Sequence, residues 1–311
     1  MLWVAERGGH AEVWAASPEG GGAHRLADLP GDSFPAAPDP RGTHALVVVA
    51  EEDARGHREG MWLVPLDGGQ PAPFGPRSAR IRNPAWTRDG DAVIFEADLD
   101  AYRDLYALSR TGDLRRLTAA PHGSFEPTVS RDGRLAFGTS RDENAEIYTS
   151  NPDGSAPVRL TTDPADDVHP EWRPDGERLG WISHRGGIAR VWTMAPDGTD
   201  PRPLRPRKER EQSLDLDFAW SPDGSRVAVV VQSGPREVDI LLVDAETGLE
   251  RAHIGGAGVD EHPAWSPDGR WLVYTAAGDL ARVDRSGAGR VQLTTDPSPD
   301  WLPRWAHSTV R

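Results

Sequence analysis

The sequence contains no cysteine among its 311 residues. That removes disulfides, thiolate zinc sites and cysteine nucleophiles from the range of chemistries open to it. Lysine is nearly as scarce. Lys208 stands alone, so Schiff-base chemistry has one candidate, in a charged stretch where solvation is the simpler reading. No apolar run approaches the roughly 18 residues of a membrane span. The opening, Met1-Leu-Trp-Val-Ala-Glu-Arg7, lacks a basic leader and an apolar stretch. It reads as cytoplasmic, with a periplasmic or secreted location as the alternative if a signal has been removed. Positive charge is also in deficit: 35 Lys and Arg stand against 49 Asp and Glu, a net charge of −14. A face able to track nucleic-acid phosphates is therefore not expected. Nucleophile-elbow, zinc-protease, phosphate-loop and dinucleotide motifs are all missing.

Glycine (33), proline (28) and tryptophan (12) are abundant. Twelve tryptophans are incompatible with a solvated, disordered chain. The glycines and prolines fall at regular intervals, which points to short elements joined by tight turns.

The interval is set by one recurring phrase. It reads Asn83-Pro-Ala-Trp-Thr-Arg-Asp-Gly90, Glu126-Pro-Thr-Val-Ser-Arg-Asp-Gly133, His169-Pro-Glu-Trp-Arg-Pro-Asp-Gly176, Asp217-Phe-Ala-Trp-Ser-Pro-Asp-Gly224 and His262-Pro-Ala-Trp-Ser-Pro-Asp-Gly269. A looser first copy is Phe34-Pro-Ala-Ala-Pro-Asp-Pro-Arg-Gly42. The closing glycines are 48, 43, 43, 48 and 45 residues apart, the repeat length of a four-stranded propeller blade. In each copy Pro and Asp suit the centre of a type I turn and Gly its left-handed exit. A β-rich run follows each turn, then a strand with an aromatic or aliphatic centre, then a second glycine turn.

Six units are complete. The amino terminus supplies three further strands (Leu2–Ala5, Glu12–Trp14, His24–Leu26) and Leu302-Pro-Arg-Trp305 supplies a lone first strand. From Gly287 round both ends to Gly20 is 44 residues, one more repeat. The fold class expected is therefore all-β: a single seven-bladed β-propeller of four-stranded blades spanning residues 1–311. It is closed by pairing of the C-terminal strand with three N-terminal strands, the closing blade running from about 1–28 plus 300–311. Insertions at Glu51–Gly60 and Arg205–Asp215 read as solvated loops.

The Trp-Ser-Pro-Asp-Gly phrase, the apolar run, the aromatic third strand and the Leu-Thr fourth strand resemble the TolB-type (WD40-like) propeller repeat over nearly the whole chain. The resemblance implies a propeller whose function lies in its loops; such propellers serve as scaffolds, partner-binding proteins and some enzymes. The family's eponymous member is periplasmic and has six blades plus a separate domain, so this chain departs from it on both counts. A seven-bladed lyase of similar repeat type holds a metal through histidine in its channel.

In a propeller the first strands line the central channel, and the loops leading into them converge on one face. Read blade by blade, the position before the first-strand proline is Phe34, Asn83, Glu126, His169, Asp217, His262 and Leu302. Glu126, His169, Asp217 and His262 are ligand-type side chains for a divalent cation (Ca or Mn), or an acid/base cluster. Hydration by channel water is the competing reading, for Asn83 as well. The loops into the channel carry Asp28, Asp32, Asp163, Asp166, Asp167, Asp215, Asp260, Glu261, Asp296 and Asp300, with Arg77, Arg80 and Arg82 as one basic wall. An acidic funnel with a basic side would suit a cation or a basic partner. The repeated tryptophans Trp86, Trp172, Trp220, Trp265 and Trp305 read as packing between blades.

The functional expectation is a monomeric, soluble binding or scaffold module taking a protein or small ligand at the loop face around the channel. The alternative is a metal-assisted lyase or hydrolase acting on a saccharide or other small substrate in the channel mouth.

Overall fold

The computed structural model describes residues 1–53, 56–206, 213–256 and 258–305. Lys208 and half of the second insertion lie outside them. Seven four-stranded antiparallel sheets form the blades. In chain order, blade 1 begins at Asp32–Pro38, blade 2 at Ile81–Trp86, blade 3 at Ser124–Val129, blade 4 at Asp167–Trp172, blade 5 at Leu214–Trp220 and blade 6 at Asp260–Trp265. Blade 7 joins Asp300–Arg304 to Leu2–Arg7, His10–Ala15 and His24–Arg25. Leu2 pairs with Arg304 and Ala5 with Asp300, which latches the two chain ends together. The single helical element among the described residues is a 3-10 turn, Arg185–Gly187, and no helix is long and apolar enough to cross a membrane.

The turn chemistry holds in detail. Gly224 sits at φ +68° and its N–H donates to the Ser221 carbonyl at 2.8 Å, closing the Ser-Pro-Asp-Gly turn. The Asp223 carboxylate accepts from the Ser221 and Ser225 hydroxyls, so it is spent on the turn.

The second strands read as unbroken apolar runs because both of their faces are buried. In Arg226–Gly234, Val227 and Val229 pack towards Ile182 and Phe218 of blade 4 and their own first strand. Ala228 and Val230 pack towards Leu272 and Tyr274 of blade 6. The repeated tryptophans are 5 to 8% exposed, at the blade seams. Trp265 and Trp305 also donate their indole N–H to the carbonyls of Ala219 and Ala264 in the preceding blade.

The first insertion is not a loop. Glu51–Gly60 extends the hairpin of His44–Asp53 with Gly56–Pro65, with pairing continuing to Asp53 and Gly56. At the second insertion Arg205 and Asp215 are buried and paired at 2.6 Å. A charge-rich composition concealed both.

Candidate functional site

The ring position has its own backbone geometry. Asn83, Glu126, His169, His262 and Leu302 all adopt φ between +49° and +55°, and the ladder slips by a residue at each of these places. Two causes act together. The following proline has no N–H for the ladder, and its ring disfavours the right-handed helical region for the residue before it. Asn and His tolerate the left-handed region; Glu126 and Leu302 carry more strain there. At three of these positions the bulge aims the ring residue's N–H sideways into the preceding blade. Glu126 N–H donates to Glu96 Oε2 at 2.9 Å, His169 N–H to Glu126 Oε2 at 2.6 Å and Leu302 N–H to Thr275 Oγ1 at 3.3 Å.

The five ring candidates therefore do not converge on one point. Asn83 donates through Nδ2 to Glu96 Oε1 at 3.3 Å, and Glu126 is committed to the His169 backbone. His169 Nε2 faces Asp217 Oδ1 at 3.2 Å, while the His169 ring meets Phe218 edge-on. His262 stands apart, its Nδ1 3.4 Å from Thr275 Oγ1. Among the described residues no group of three or more His, Asp or Glu side chains is arranged to hold a metal ion.

Their electrostatics point the same way. Burial would lower the His169 pKa, but Asp217, then Glu126 and Glu171, raise it to about 9. At neutral pH this imidazole carries two protons, so a metal would have to displace one to bind there. Burial would raise the Asp217 carboxyl; the His169 contact and the Phe218 N–H at 2.8 Å instead hold it below the usual range. Burial pushes His262 down and keeps it neutral. The donor set expected for Ca or Mn thus does not fit one: two members are bound to each other and a third to the backbone.

The loop charges are mostly paired rather than free, some within a blade and some across a seam. Asp167, Asp215, Asp260 and Asp300 are 0 to 3% exposed. Asp300 pairs with Arg7 at 3.0 Å and Asp167 with Arg185 at 2.9 Å. Asp215, Asp166 and Asp32 accept the backbone N–H of Val191, Ala145 and Ala11 in the preceding blade. Of the rest, Asp28 pairs with Arg25 and Asp296 with Arg7. The basic wall is paired too: Arg77 with Glu51 at 2.8 Å, Arg80 with Asp98 at 3.9 Å and Arg82 with Glu59.

A second layer of the channel escaped the ring reading. Two residues deeper along each first strand stand Ala36, Ala85, Thr128, Glu171, Ala219, Ala264 and Arg304. Five are small or neutral; two, Glu171 and Arg304, are ionisable. Burial pushes the Glu171 carboxyl up to about 8, the nearby His169 charge opposing it, so it is protonated at neutral pH. The period-two alternation of a strand was the signal that could have found this layer.

Beside Arg304 the mouth opens into a cavity of about 580 Å³. Its wall is largely apolar, with Phe34, Val48, Ile81, Pro84 and Leu302, and its polar groups are Asn83, Glu59, Arg82 and Arg304. The channel is thus two-sided. Blades 7, 1 and 2 offer an apolar hollow, and blades 3 to 6 offer Glu126, His169, Glu171, Asp217 and His262.

Sequence comparison matches residues 110–295 to the TolB beta propeller domain. An uncharacterized protein of Agrobacterium fabrum is 28% identical over 186 residues, covering 55% of this chain and 60% of that one. The Tol-Pal system protein TolB of Anaeromyxobacter dehalogenans is 28% identical over 151 residues, covering 48% of this chain and 34% of its own. The matches thus span from about a third to three fifths of these relatives. Among solved structures, an oligogalacturonate lyase in complex with manganese superposes with a TM-score of 0.68 at 15% identity, over 94% of this chain and 83% of that one. At that identity the likeness is one of fold.

Proposed function

Since the chain belongs to the TolB β-propeller family, we propose that it is a binding module whose working surface is the channel mouth, with a protein partner seated over the hollow of blades 7, 1 and 2. The observation that carries this reading is the 580 Å³ cavity, open at the mouth and walled by Phe34, Pro84 and Leu302. Cavities of a few hundred Å³ with an apolar wall and few polar groups are the common form of a recognition site. The kinship with a chain named for the Tol-Pal system supports a protein as the occupant and an exported location over a cytoplasmic one.

The test uses a photo-crosslinking amino acid. p-Benzoylphenylalanine replaces Phe34 at the mouth and, as a control, Arg88 in the turn at the opposite end of a first strand. Irradiated host cells should yield a discrete adduct from position 34 and none from position 88. Equal adducts from both, or none from position 34, would sink the reading.

The other half of the channel supports a second reading, an acid/base enzyme acting on a saccharide or other small substrate. His169 paired to Asp217, beside a protonated Glu171, is a set able to give and take a proton. It does not need the metal. Under this reading His169→Ala abolishes turnover of uronate oligosaccharides; under the first it leaves the Phe34 adduct intact.

A further inference from the structure

Arg304 is a cation with no carboxylate in contact: Asp217 and Glu171 act on it only through space. Among the described residues its one hydrogen bond runs from Nη1 to its own neighbour, the Pro303 carbonyl, at 3.1 Å. Among the described residues no carboxylate comes within the 4.0 Å of an ion pair. Every other arginine named at the mouth has such a partner. A guanidinium presents five N–H donors, so most of this one's are unspent. Removing a charge from bulk water without a partner is costly. In a chain of net charge −14, a cation on the channel wall with no carboxylate bound to it is a local reversal of sign.

Its surroundings define what would answer it. Arg304 lines the same cavity as Phe34, Ala36, Pro84 and Leu302. It lies two strand positions below Leu302, about 6–7 Å deeper at the usual rise. A ligand that satisfies both features leads with an anion and follows with an apolar group. A planar carboxylate matches the guanidinium fork with two parallel hydrogen bonds. Among parts of a polypeptide, the C-terminus carries a carboxylate ahead of its last side chain and can enter a closed hollow end-on.

We propose that the channel captures the C-terminal carboxylate of a partner polypeptide on Arg304, with the partner's last, apolar side chain against Phe34, Pro84 and Leu302. The proposal rests on the binding reading above and supplies its chemistry: partner choice is set by a free chain end with an apolar final residue. The paired arginines at the rim, already satisfied by Glu51, Asp98 and Glu59, would contribute little to it.

The experiment is calorimetric titration with N-acetyl tripeptides ending in Leu, Val or Phe, each as the free acid and as the C-terminal amide. The acid should bind at least about tenfold more tightly than its amide, the value of one charge-assisted contact. Arg304→Met should erase that preference, and Arg304→Lys, a point charge without the fork, should keep part of it. Should Arg304→Met fail to fold, Ala85→Glu gives the second arm. Ala85 lines the same hollow, and a carboxylate there should occupy the guanidinium and weaken the acid without weakening the amide. Equal affinity of acid and amide, or no binding of either, overturns the proposal, as does a preference that survives Arg304→Met. Isovalerate binding as tightly as the Leu tripeptide would overturn the chain-end form of it. If acid and amide are equal while the Phe34 adduct persists, the carboxylate clamp fails and the binding reading stands.

Discussion

The carboxylate of Glu126 accepts the backbone N–H of His169 at 2.6 Å across the seam between blades 3 and 4. The N–H of Glu126 in turn donates to Glu96 of blade 2, so one residue ties three blades at the mouth. This use of Glu126 is structural, and it makes a distinct claim. Glu126→Ala strands the His169 N–H in a half-buried place and should cost about 1–3 kcal/mol. Glu126→Gln keeps an acceptor oxygen and should recover most of that. Urea denaturation compares them; an alanine variant with the wild-type midpoint and slope would show that the clasp contributes nothing.

The pairing of His169 with Asp217 sets a pH signature. The imidazole's pKa lies at about 9 in the fold, above the ordinary 6.5. A group raised in this way stabilises fully below the unfolded value, and its contribution is lost as pH climbs through the folded one. The window is therefore pH 6.5 to about 9. Both side chains are about 40% exposed to channel water, so screening keeps the effect modest and salt should reduce it further. Nuclear magnetic resonance titration should place the His169 midpoint well above 7. Asp217→Asn should bring it down markedly, because burial is then opposed only by Glu126 and Glu171. The denaturation gap between wild type and His169→Gln should be wider at pH 6 than at pH 9.5.

How much of this was legible beforehand depended on whether a residue's job was local. Pro222, Asp223 and Gly224 announce their turn because the turn's own dihedrals require them. Six such turns and one unit split between the chain ends set the blade number, and Trp305 with Leu2 set the latch. The ring of Asn83, Glu126, His169, Asp217 and His262 is legible as a repeat position, but the hydrogen bonds its members make are not. Those residues are about 45 positions apart in sequence, and no local spacing says that Glu126 serves a backbone N–H one blade away. The burial of Asp167, Asp215 and Asp300 was equally hidden. Their arginine partners meet them only once tertiary structure forms: Arg185 across the first hairpin of blade 4, Arg205 between blades 4 and 5, and Arg7 across the junction of the chain ends. Glu171 and Arg304 broke a column of small residues, a departure readable only once that column is known to face the channel.

A packing test separates two glycines that the sequence presents alike. Gly138 and Gly180 both sit in second strands, without the left-handed backbone that would require glycine. A methyl at Gly138 would lie 2.4 Å from Phe125 Cε2. Phe125 is buried and capped by the Arg103 guanidinium 4.8 Å from its ring, so it has little room to yield. At Gly180 the nearest atom is Phe218 Cε2 at 2.8 Å. Overpacking of this kind costs about 1–3 kcal/mol, and Gly138→Ala should stand at the upper end with Gly180→Ala below it. Thermal melts of the two variants decide the order; a reversed order would mean that the Phe125 pocket is the looser one.

The latch between the chain ends should be the ring's weakest seam, and two tryptophans can show it. Trp305 and Trp220 occupy the same position in their blades and are 7% and 5% exposed. Removing either indole leaves a cavity that costs roughly 3–5 kcal/mol. The consequences should then diverge. Trp220 lies in a strand whose neighbours in the sheet are continuous with it in sequence. Trp305 follows Asp300–Arg304, a strand tied to Leu2–Arg7 by pairing alone, and it packs against Met1, Trp3 and Leu280 across that junction. Loosening it frees the Leu2–Arg7 edge, with unpaired backbone groups open to another chain. Trp305→Ala should therefore form larger species at rising protein concentration by size-exclusion chromatography, under conditions where Trp220→Ala, equally destabilised in urea, remains a single peak. Matching elution of the two variants would place the ring's weak point elsewhere than at the junction of its ends.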